Sequence, residues 1–462
     1  MIRPRIIEYI SSQSAESFEK AIGLVLPLGL VYLAASLEQK KHAVSILDCE
    51  ALGLSKDEIR DEIIKRQPQV VGISAVTTNI RGALEAAKIA KEYGAITIIG
   101  GPHMMIFPRE TLSYDFIDYG IVGEGEYALN ELLFTLEKGG NFRNIRGAIY
   151  RDNNEIVVNE PAIVKDLDQL PIPAYHLLPL ERYEMPNTGK KLASLITIRG
   201  CPFKCGFCYR SPLSFFIRKR NPIKVVDEIE YLYRTYGIRD INFVNESITL
   251  DKQHLVSICQ EIIRRDLKIE WQSPARVDQV DESLLKIMKE SGCRTLRFGV
   301  ESGNDEILRI INKKTTLLKI EKAFFLCNKI GIDTVAYFII GYLGETEATI
   351  KQTIAFSKKI RPTYAAFFPA TPMPQTALFE SSVRAGLIDK EYWRDFTLSR
   401  RSDGLPFLVP EAGDWVVKAY RTFYFRPIYI LKNLRKISSW KSFKKYCLGA
   451  LALLKMRFKR KA

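Results

Sequence analysis

The sequence predicts an α/β chain: a parallel-sheet domain of Rossmann-like type, then a partial (β/α)6 barrel, then a basic, mainly helical C-terminal segment. Three observations predict this. β-branched runs alternate with amphipathic stretches through the first 140 residues, the pattern of a parallel sheet with crossover helices. A proline-rich stretch, LDQLPIPAYHLLPLERYEMP from 167 to 186, interrupts the alternation. A second alternating series of six strands and helices then begins.

In the first series, Ile6 to Ile10, Val44 to Leu47, Val70 to Ser74, Thr97 to Ile99 and Tyr119 to Val122 read as strands. Leu30 to Glu38, Lys56 to Arg66, Ile80 to Tyr93 and Glu126 to Glu137 read as helices, with Gly94 placed to stop one. In the second series the strands are Leu195 to Arg199, Ile241 to Val244, Ile269 to Gln272, Thr295 to Gly299, Thr334 to Ile340 and Ala365 to Pro369. The helices are Val225 to Tyr236, Lys252 to Arg265, Glu282 to Ser291, Asp305 to Ile311, Leu317 to Ile330 and Thr346 to Ile360. The expected division is 1–140, a linker over 141–190, a barrel over 191–390 and a basic helical region over 391–462.

Composition excludes several classes. At 462 residues and 47% hydrophobic, the chain has ample material for buried cores and is not a disordered polymer. Eight cysteines are too sparse for a disulfide scaffold, and no basic, apolar leader opens the sequence, so reduced thiols and a cytoplasmic setting are expected. The longest nearly apolar run, Ala21 to Leu37, is broken by Pro27 and Gly29 and predicts a loop and a core helix rather than a membrane span. The net charge of +15 is localised: Trp415 to Ala462 holds 14 Lys and Arg with no acid.

The most specific signal follows the first barrel strand. Arg199-Gly-Cys-Pro-Phe-Lys-Cys-Gly-Phe-Cys-Tyr places Cys201, Cys205 and Cys208 in one short loop at a barrel's strand end, where active sites form. Thiolates suit zinc or an iron–sulfur cluster. Structural zinc needs a fourth ligand, and His176 and Cys259 are the nearest in sequence. Three ligands on a four-iron cluster leave one iron open for a substrate.

The C-x3-C-x-aromatic-C spacing resembles that of the radical S-adenosylmethionine superfamily. The resemblance implies that Cys201, Cys205 and Cys208 hold a [4Fe-4S] cluster with Phe207 as its shield. The open iron would chelate S-adenosylmethionine, whose one-electron cleavage gives methionine and a 5′-deoxyadenosyl radical. It implies further binding positions after each strand: Asn245 and Glu246 for the methionine amino group, and Ser273 and Arg276 for sulfonium and carboxylate. Glu301 and Ser302 would serve ribose and carboxylate, and Gly341 and Glu345 the adenine side. Taken singly, each is also an ordinary strand-end turn with a helix cap.

In the first domain, Ser74-Ala-Val-Thr77-Thr78, Gly100-Gly101-Pro-His103 and Gly123-Glu124 lie at successive strand ends, and adjacent glycines allow close ligand approach. With Pro27 to Leu37 and Leu47-Asp48 these segments resemble the cobalamin-binding domain joined to one branch of that superfamily, which includes the anaerobic magnesium-protoporphyrin monomethyl ester cyclase and cobalamin-dependent radical methylases. The resemblance assigns Ser74, Thr77, Thr78, Gly100, Gly101, His103, Gly123 and Glu124 to cobalamin. A loop or capping role is the plainer reading of His103, and a domain that keeps the fold without the cofactor is another. No histidine lies in 11–23, so any cobalamin would be base-off without a histidine from that loop. Gln375 departs from the glycine usual in the TP-x-P-G-T segment.

The resemblance implies methylation of an unactivated carbon in a hydrophobic or lipid-like small molecule, with cyclisation, oxidation or rearrangement, or a non-catalytic carrier, as rivals. It also implies a one-electron donor such as flavodoxin or ferredoxin. The aromatic and basic tail, 415–462, suits peripheral contact with the inner face of an anionic membrane. A solvated helical cap on the barrel is its bland alternative, and RNA its least favoured partner, because residues 1–190 hold only Cys49.

Overall fold

A computed structural model describes residues 1–5, 24–185, 189–401, 405–409, 411–434, 451, 453 and 454. The strand expected at Ile6 to Ile10 and the loop 11–23 lie outside the described residues, as does most of the tail beyond 434. The described residues divide into two units: 1–5, 24–183 and most of 389–405 in the first, and most of 184–388 and of 406–434 in the second.

The first unit is a seven-stranded sheet of β1 (Ile2–Arg3), β2 (Leu47–Asp48), β3 (Val70–Ser74), β4 (Ile96–Gly100), β5 (Tyr119–Ile121), β6 (Ala148–Asp152) and β7 (Glu155–Val158). Its order is β2-β1-β3-β4-β5-β6-β7, parallel through β5. Order 2-1-3-4-5 reverses between β1 and β3, and such a reversal opens a crevice at the strands' C-terminal ends. The helix Leu28–Glu38 starts at Pro27 and buries Leu30, Val31, Ala34 and Leu37, as expected of a core helix. The helix Lys56–Arg66 carries a full capping box between Ser55 and Glu58.

Two boundaries differ from expectation. The segment 141–190 is not linker throughout, because β6 and β7 form an antiparallel hairpin that extends the first sheet. Its turn residues Asn153 and Asn154 take φ of 46° and 70°, the left-handed pair a tight hairpin turn requires. The proline-rich part beyond it does break regular structure, leaving short 3-10 turns at 167–169, 175–177 and 180–182. Residues 389–405 return to the first unit rather than opening the basic region: Arg394 pairs with Glu110 at 3.3 Å, and the Arg81 guanidinium lies 4.4 Å from the Phe396 ring centre.

The second unit holds β8 (Leu192–Leu195), β9 (Ile198–Arg199), β10 (Arg218–Lys219), β11 (Asp240–Phe243), β12 (Glu270–Ala275), β13 (Cys293–Glu301), β14 (Asp333–Ile340) and β15 (Tyr364–Pro369). Six of these form one parallel sheet in sequential order, β8-β11-β12-β13-β14-β15, each followed by a helical crossover or turn. The expected strand Leu195 to Arg199 is two strands. The Thr197 amide bonds the Asn245 side chain at 2.8 Å instead of a neighbouring strand, and the chain leaves the sheet there. β9 then pairs antiparallel with β10. Among the described tail residues, the helix Ala412–Tyr424 buries Val416, Ala419, Tyr420 and Phe423, and Tyr424 Oη donates to the Ala365 carbonyl on β15 at 2.8 Å. This stretch of the basic segment is thus a cap on the second sheet. No helix among the described residues is long and apolar enough to cross a membrane.

Candidate active site

The cysteine loop lies between β9 and the turn Pro212–Phe215, without strand or helix of its own, so its backbone must find partners elsewhere. At its entry Gly200 has φ +99°, and a Cβ there would stand 2.4 Å from the Phe216 carbonyl oxygen, so only glycine fits. The Cys201 amide donates to the Ser214 carbonyl at 2.8 Å. Arg210 donates through Nε and Nη2 to the Phe203 carbonyl at 3.1 and 3.0 Å and also reaches the Cys201 carbonyl. Asn312 Nδ2 holds the Lys204 carbonyl at 2.8 Å. The Gly206 amide donates to Ile311, and its carbonyl accepts from Leu378, both at 2.8 Å. Any side chain at 206 would meet Tyr342 Oη at 2.5 Å.

This lacing fixes the three sulfurs. Cys201 and Cys205 are half-buried and Cys208 is exposed. Desolvation pushes the pKa of the Cys208 thiol up; Arg210 opposes it, Cys205 and Cys201 add to it, and Lys313 opposes it. Among the described residues no three His, Cys, Asp or Glu side chains converge where a single metal ion could sit. A tetrahedral zinc would bring its sulfurs to about 4 Å of each other. Three thiols on one loop are the donor set of a polynuclear cluster, in which each binds a separate iron.

Against the loop at Phe207 lies a cavity of about 380 Å³, walled also by Tyr337, Ile339, Phe368, Leu378 and Glu301 among others. That volume holds one small molecule. Phe207 packs on Ile307, Ile311, Tyr342 and Leu378. Glu301 sits at the end of β13, just past a register shift, with φ +67°. Its carboxylate pairs with Lys313 at 2.6 Å, both side chains being at most 10% exposed. The Lys313 ammonium stands 5.8 Å from the Phe207 ring centre. Asn312 and Lys314, which flank Lys313, are also left-handed, at φ 59° and 58°, and Gln375 takes φ 57°. Such backbone outliers gather at functional sites.

The other expected positions are reached by their strands but differ in what their polar atoms do. Asn245 is committed to Thr197, accepting from its amide and donating to its hydroxyl, both at 2.8 Å. Glu246 is exposed. Ser273 is fully buried and donates to the Pro274 carbonyl at 3.1 Å. Arg276 forms a two-bond fork with Asp278 at 2.9 and 3.0 Å, donates to the Lys313 carbonyl at 2.9 Å, and stacks 3.6 Å from the Phe203 ring centre. Ser302 lies within hydrogen-bond distance of Thr353 and accepts from the Asn304 amide, tying the turn to the helix Glu347–Lys359. Glu345 Oε2 accepts from the Gly341 and Tyr342 amides at 2.7 and 3.1 Å. Its Oε1 is buried without a hydrogen-bond partner, and burial pushes its pKa up to about 7 despite the two amides. Sequence reasoning missed Arg210, Asn312, Lys313 and Tyr342.

In the first unit, Ser74 and Gly100 stand side by side where β3 and β4 end, with His103 and Thr77 just beyond. His103 is fully buried. Its Nδ1 lies 3.1 Å from the Thr77 hydroxyl, its Nε2 has no hydrogen-bond partner, and burial lowers its pKa to about 3, so the ring is neutral. Thr78 is half-buried. Gly101 and Gly123 are demanded by the chain itself: a Cβ would stand 2.6 Å from the Ala75 and 2.3 Å from the Ala162 carbonyl oxygen. Gly100 has room for one, its nearest neighbour being 3.8 Å away. Glu124 accepts from the Val164 amide at 2.6 Å. An orphaned buried imidazole nitrogen and half-buried hydroxyls at the crevice side of a 2-1-3-4-5 sheet fit a large polar cofactor such as cobalamin.

A crevice-forming parallel sheet followed by a six-strand βα unit with three loop thiols is the arrangement of an α/β enzyme built to hold cofactors. Residues 19–133 match the B12 binding domain and residues 195–357 the Radical SAM superfamily. The chain is 36% identical to an uncharacterized methyltransferase of Pyrococcus horikoshii over 88% of its own length and 90% of the relative's. It is 31% identical to the anaerobic magnesium-protoporphyrin IX monomethyl ester cyclase of Rubrivivax gelatinosus, over 94% and 80%. The solved structure of the radical S-adenosylmethionine methyltransferase TsrM of Kitasatospora setae, with cobalamin and a [4Fe-4S] cluster bound, shares the fold, with TM-score 0.67, 20% identity and coverage of 84% and 75%. The chain belongs to the radical S-adenosylmethionine enzymes that carry a B12-binding domain.

Proposed function

We propose that the protein is a cobalamin-dependent radical C-methyltransferase acting on a hydrophobic or lipid-like small molecule. The observation that carries this reading is the laced three-thiol loop beside a cavity with a largely apolar wall. When bound, the [4Fe-4S] cluster would supply the electron that cleaves S-adenosylmethionine, and cobalamin the methyl group. Cys201, Cys205 and Cys208 would hold the cluster, and Arg210 and Asn312 fix the carbonyls of their loop. Phe207 walls the cavity and excludes water from it. Glu301 presents its carboxylate to the ribose hydroxyls, while Lys313, paired with it at 2.6 Å, orients it. Arg276, Asn245, Ser273 and Ser302 position the strand ends, because their polar atoms are taken up by the chain, and the Gly341–Glu345 turn closes the adenine side. Ser74, Thr77, Thr78, Gly100 and His103 face the cobalamin crevice, with Gly101, Gly123 and Glu124 shaping it. The reaction needs a one-electron donor of flavodoxin or ferredoxin type. The remainder of the basic tail supports a peripheral contact with an anionic membrane from the cytoplasmic side.

The test is anaerobic turnover. S-adenosylmethionine should yield 5′-deoxyadenosine, the product should gain one CH2 unit, and Cys205→Ala should abolish both. Full activity in that variant refutes the site. A product of unchanged carbon count points to cyclisation or oxidation, the reading favoured by likeness to the cyclase. A bound cluster without cleavage points to a carrier.

A further inference from the structure

Residues 189–226 hold nine Lys and Arg and no Asp or Glu, with the cysteine loop in the middle; Lys190, Lys219 and Arg220 pair with Glu270, Asp251 and Glu228, while Lys204 and Arg210, on the loop itself, pair with no carboxylate among the described residues. Phe215, Phe216 and Ile217 follow the loop directly and are 43%, 59% and 44% exposed, with Ile223 close behind in sequence at 55%. Three consecutive large apolar side chains on a surface are uncommon without a partner.

The patch is joined to the thiols by backbone. The Ser214 carbonyl accepts from the Cys201 amide, the Phe216 carbonyl abuts Gly200, and Arg218 on β10 pairs in register with Arg199 on β9. Lys204 and Arg210 lie over the Phe215 ring, 5.6 and 5.8 Å from its centre. Arg210 otherwise donates to the Phe203 and Cys201 carbonyls, and among the described residues neither Arg210 nor Lys204 forms an ion pair with a carboxylate. Cys208, the most exposed of the three thiols, belongs to the same loop.

We infer that the Pro212–Ile217 segment, with Lys204 and Arg210, is the docking surface for an acidic one-electron donor protein. An apolar centre containing aromatics, rimmed by cations, is the composition of a protein interface, and the sign of its charge selects an acidic partner and speeds encounter. The surface rests on the function proposed above, since only a reductively cleaved substrate calls for a donor. One electron leaves the partner's reduced centre, which is oxidised by one electron. It is consumed in breaking a sulfonium C–S bond to give methionine and a carbon-centred radical.

The experiment uses the full, anaerobically reconstituted chain and a reduced acidic flavodoxin, with binding followed by calorimetry and 5′-deoxyadenosine formation followed separately with dithionite. Binding at 50 mM salt should weaken about tenfold or more at 500 mM, as expected for a charge-steered contact. The double variant Phe216→Ser, Ile217→Ser should weaken it by about tenfold through loss of the apolar centre. Dithionite bypasses docking, so the variant should keep its dithionite-driven cleavage. Flavodoxin binding that is absent, salt-independent or unchanged in the variant overturns the inference. Capture of the wild type but not the variant by phosphatidylserine vesicles, with flavodoxin binding unaffected, also overturns it and assigns the patch to a membrane. Failure of dithionite-driven cleavage in the wild type strikes the proposed function instead.

Discussion

Glu301 and Lys313 form a buried ion pair at 2.6 Å on the wall of the cavity, with Glu301 held in a left-handed backbone conformation. Neither side chain has water enough to tolerate losing the other. Lys313→Met should therefore cost about 3–5 kcal/mol in denaturant unfolding, because it leaves an uncompensated buried carboxylate. Glu301→Gln combined with Lys313→Met should recover much of that loss. Equal stability of the Lys313 single variant and the wild type would contradict the pair.

Glu345 gives a pH signature. Its pKa rises from 4.5 to about 7 on folding because its carboxylate is buried, with Oε1 lacking a partner. Between those values the folded state holds a proton that the unfolded state has released, so stability falls as pH rises from 4.5 to 7 and levels above it. Relative to Glu345→Gln, which keeps an acceptor for the Gly341 and Tyr342 amides, the wild type should lose about 1–3 kcal/mol across that window. Parallel pH profiles of the two proteins would be the contrary result.

Gln375 occupies a left-handed turn at φ 57°. Gln375→Gly should be neutral or stabilising by up to about 1 kcal/mol, since glycine adopts that conformation without a Cβ clash. A lower denaturation midpoint would show that the glutamine side chain has a role of its own.

His103 is neutral and buried with one free nitrogen. His103→Phe should cost about 1–3 kcal/mol, because it removes the orphaned nitrogen but leaves the buried Thr77 hydroxyl without its ring partner. Cobalt bound per chain after reconstitution should drop. Undiminished cobalt would remove His103 from the cobalamin site.

What could be read from the sequence follows from how far each determinant reaches along the chain. Cys201, Cys205 and Cys208 were legible because their ligand spacing is local, and the strands were legible from β-branched runs. Asn312, Lys313 and Tyr342 were not, because they meet the cysteine loop only after the later strands are in place: Asn312 reaches Lys204 across 108 residues. Arg210 is local, but a bond from a side chain to backbone carbonyls leaves no motif in the sequence. The hairpin of β6 and β7 did leave a signal, the Asn153-Asn154 turn, hidden within a stretch assigned to linker by its later prolines. Asn245 was found by position, yet its partner Thr197 is a fact of tertiary packing that no spacing announces, as is the Lys313 carbonyl that Arg276 reaches.

The central claim is that three loop thiols hold an incompletely coordinated iron–sulfur cluster. Metal analysis of the anaerobically purified and reconstituted chain tests it most directly. About four irons per chain, lost in Cys205→Ala, is the result expected of a three-thiolate cubane. Stoichiometric zinc, or no iron above the level of the variant, would contradict it.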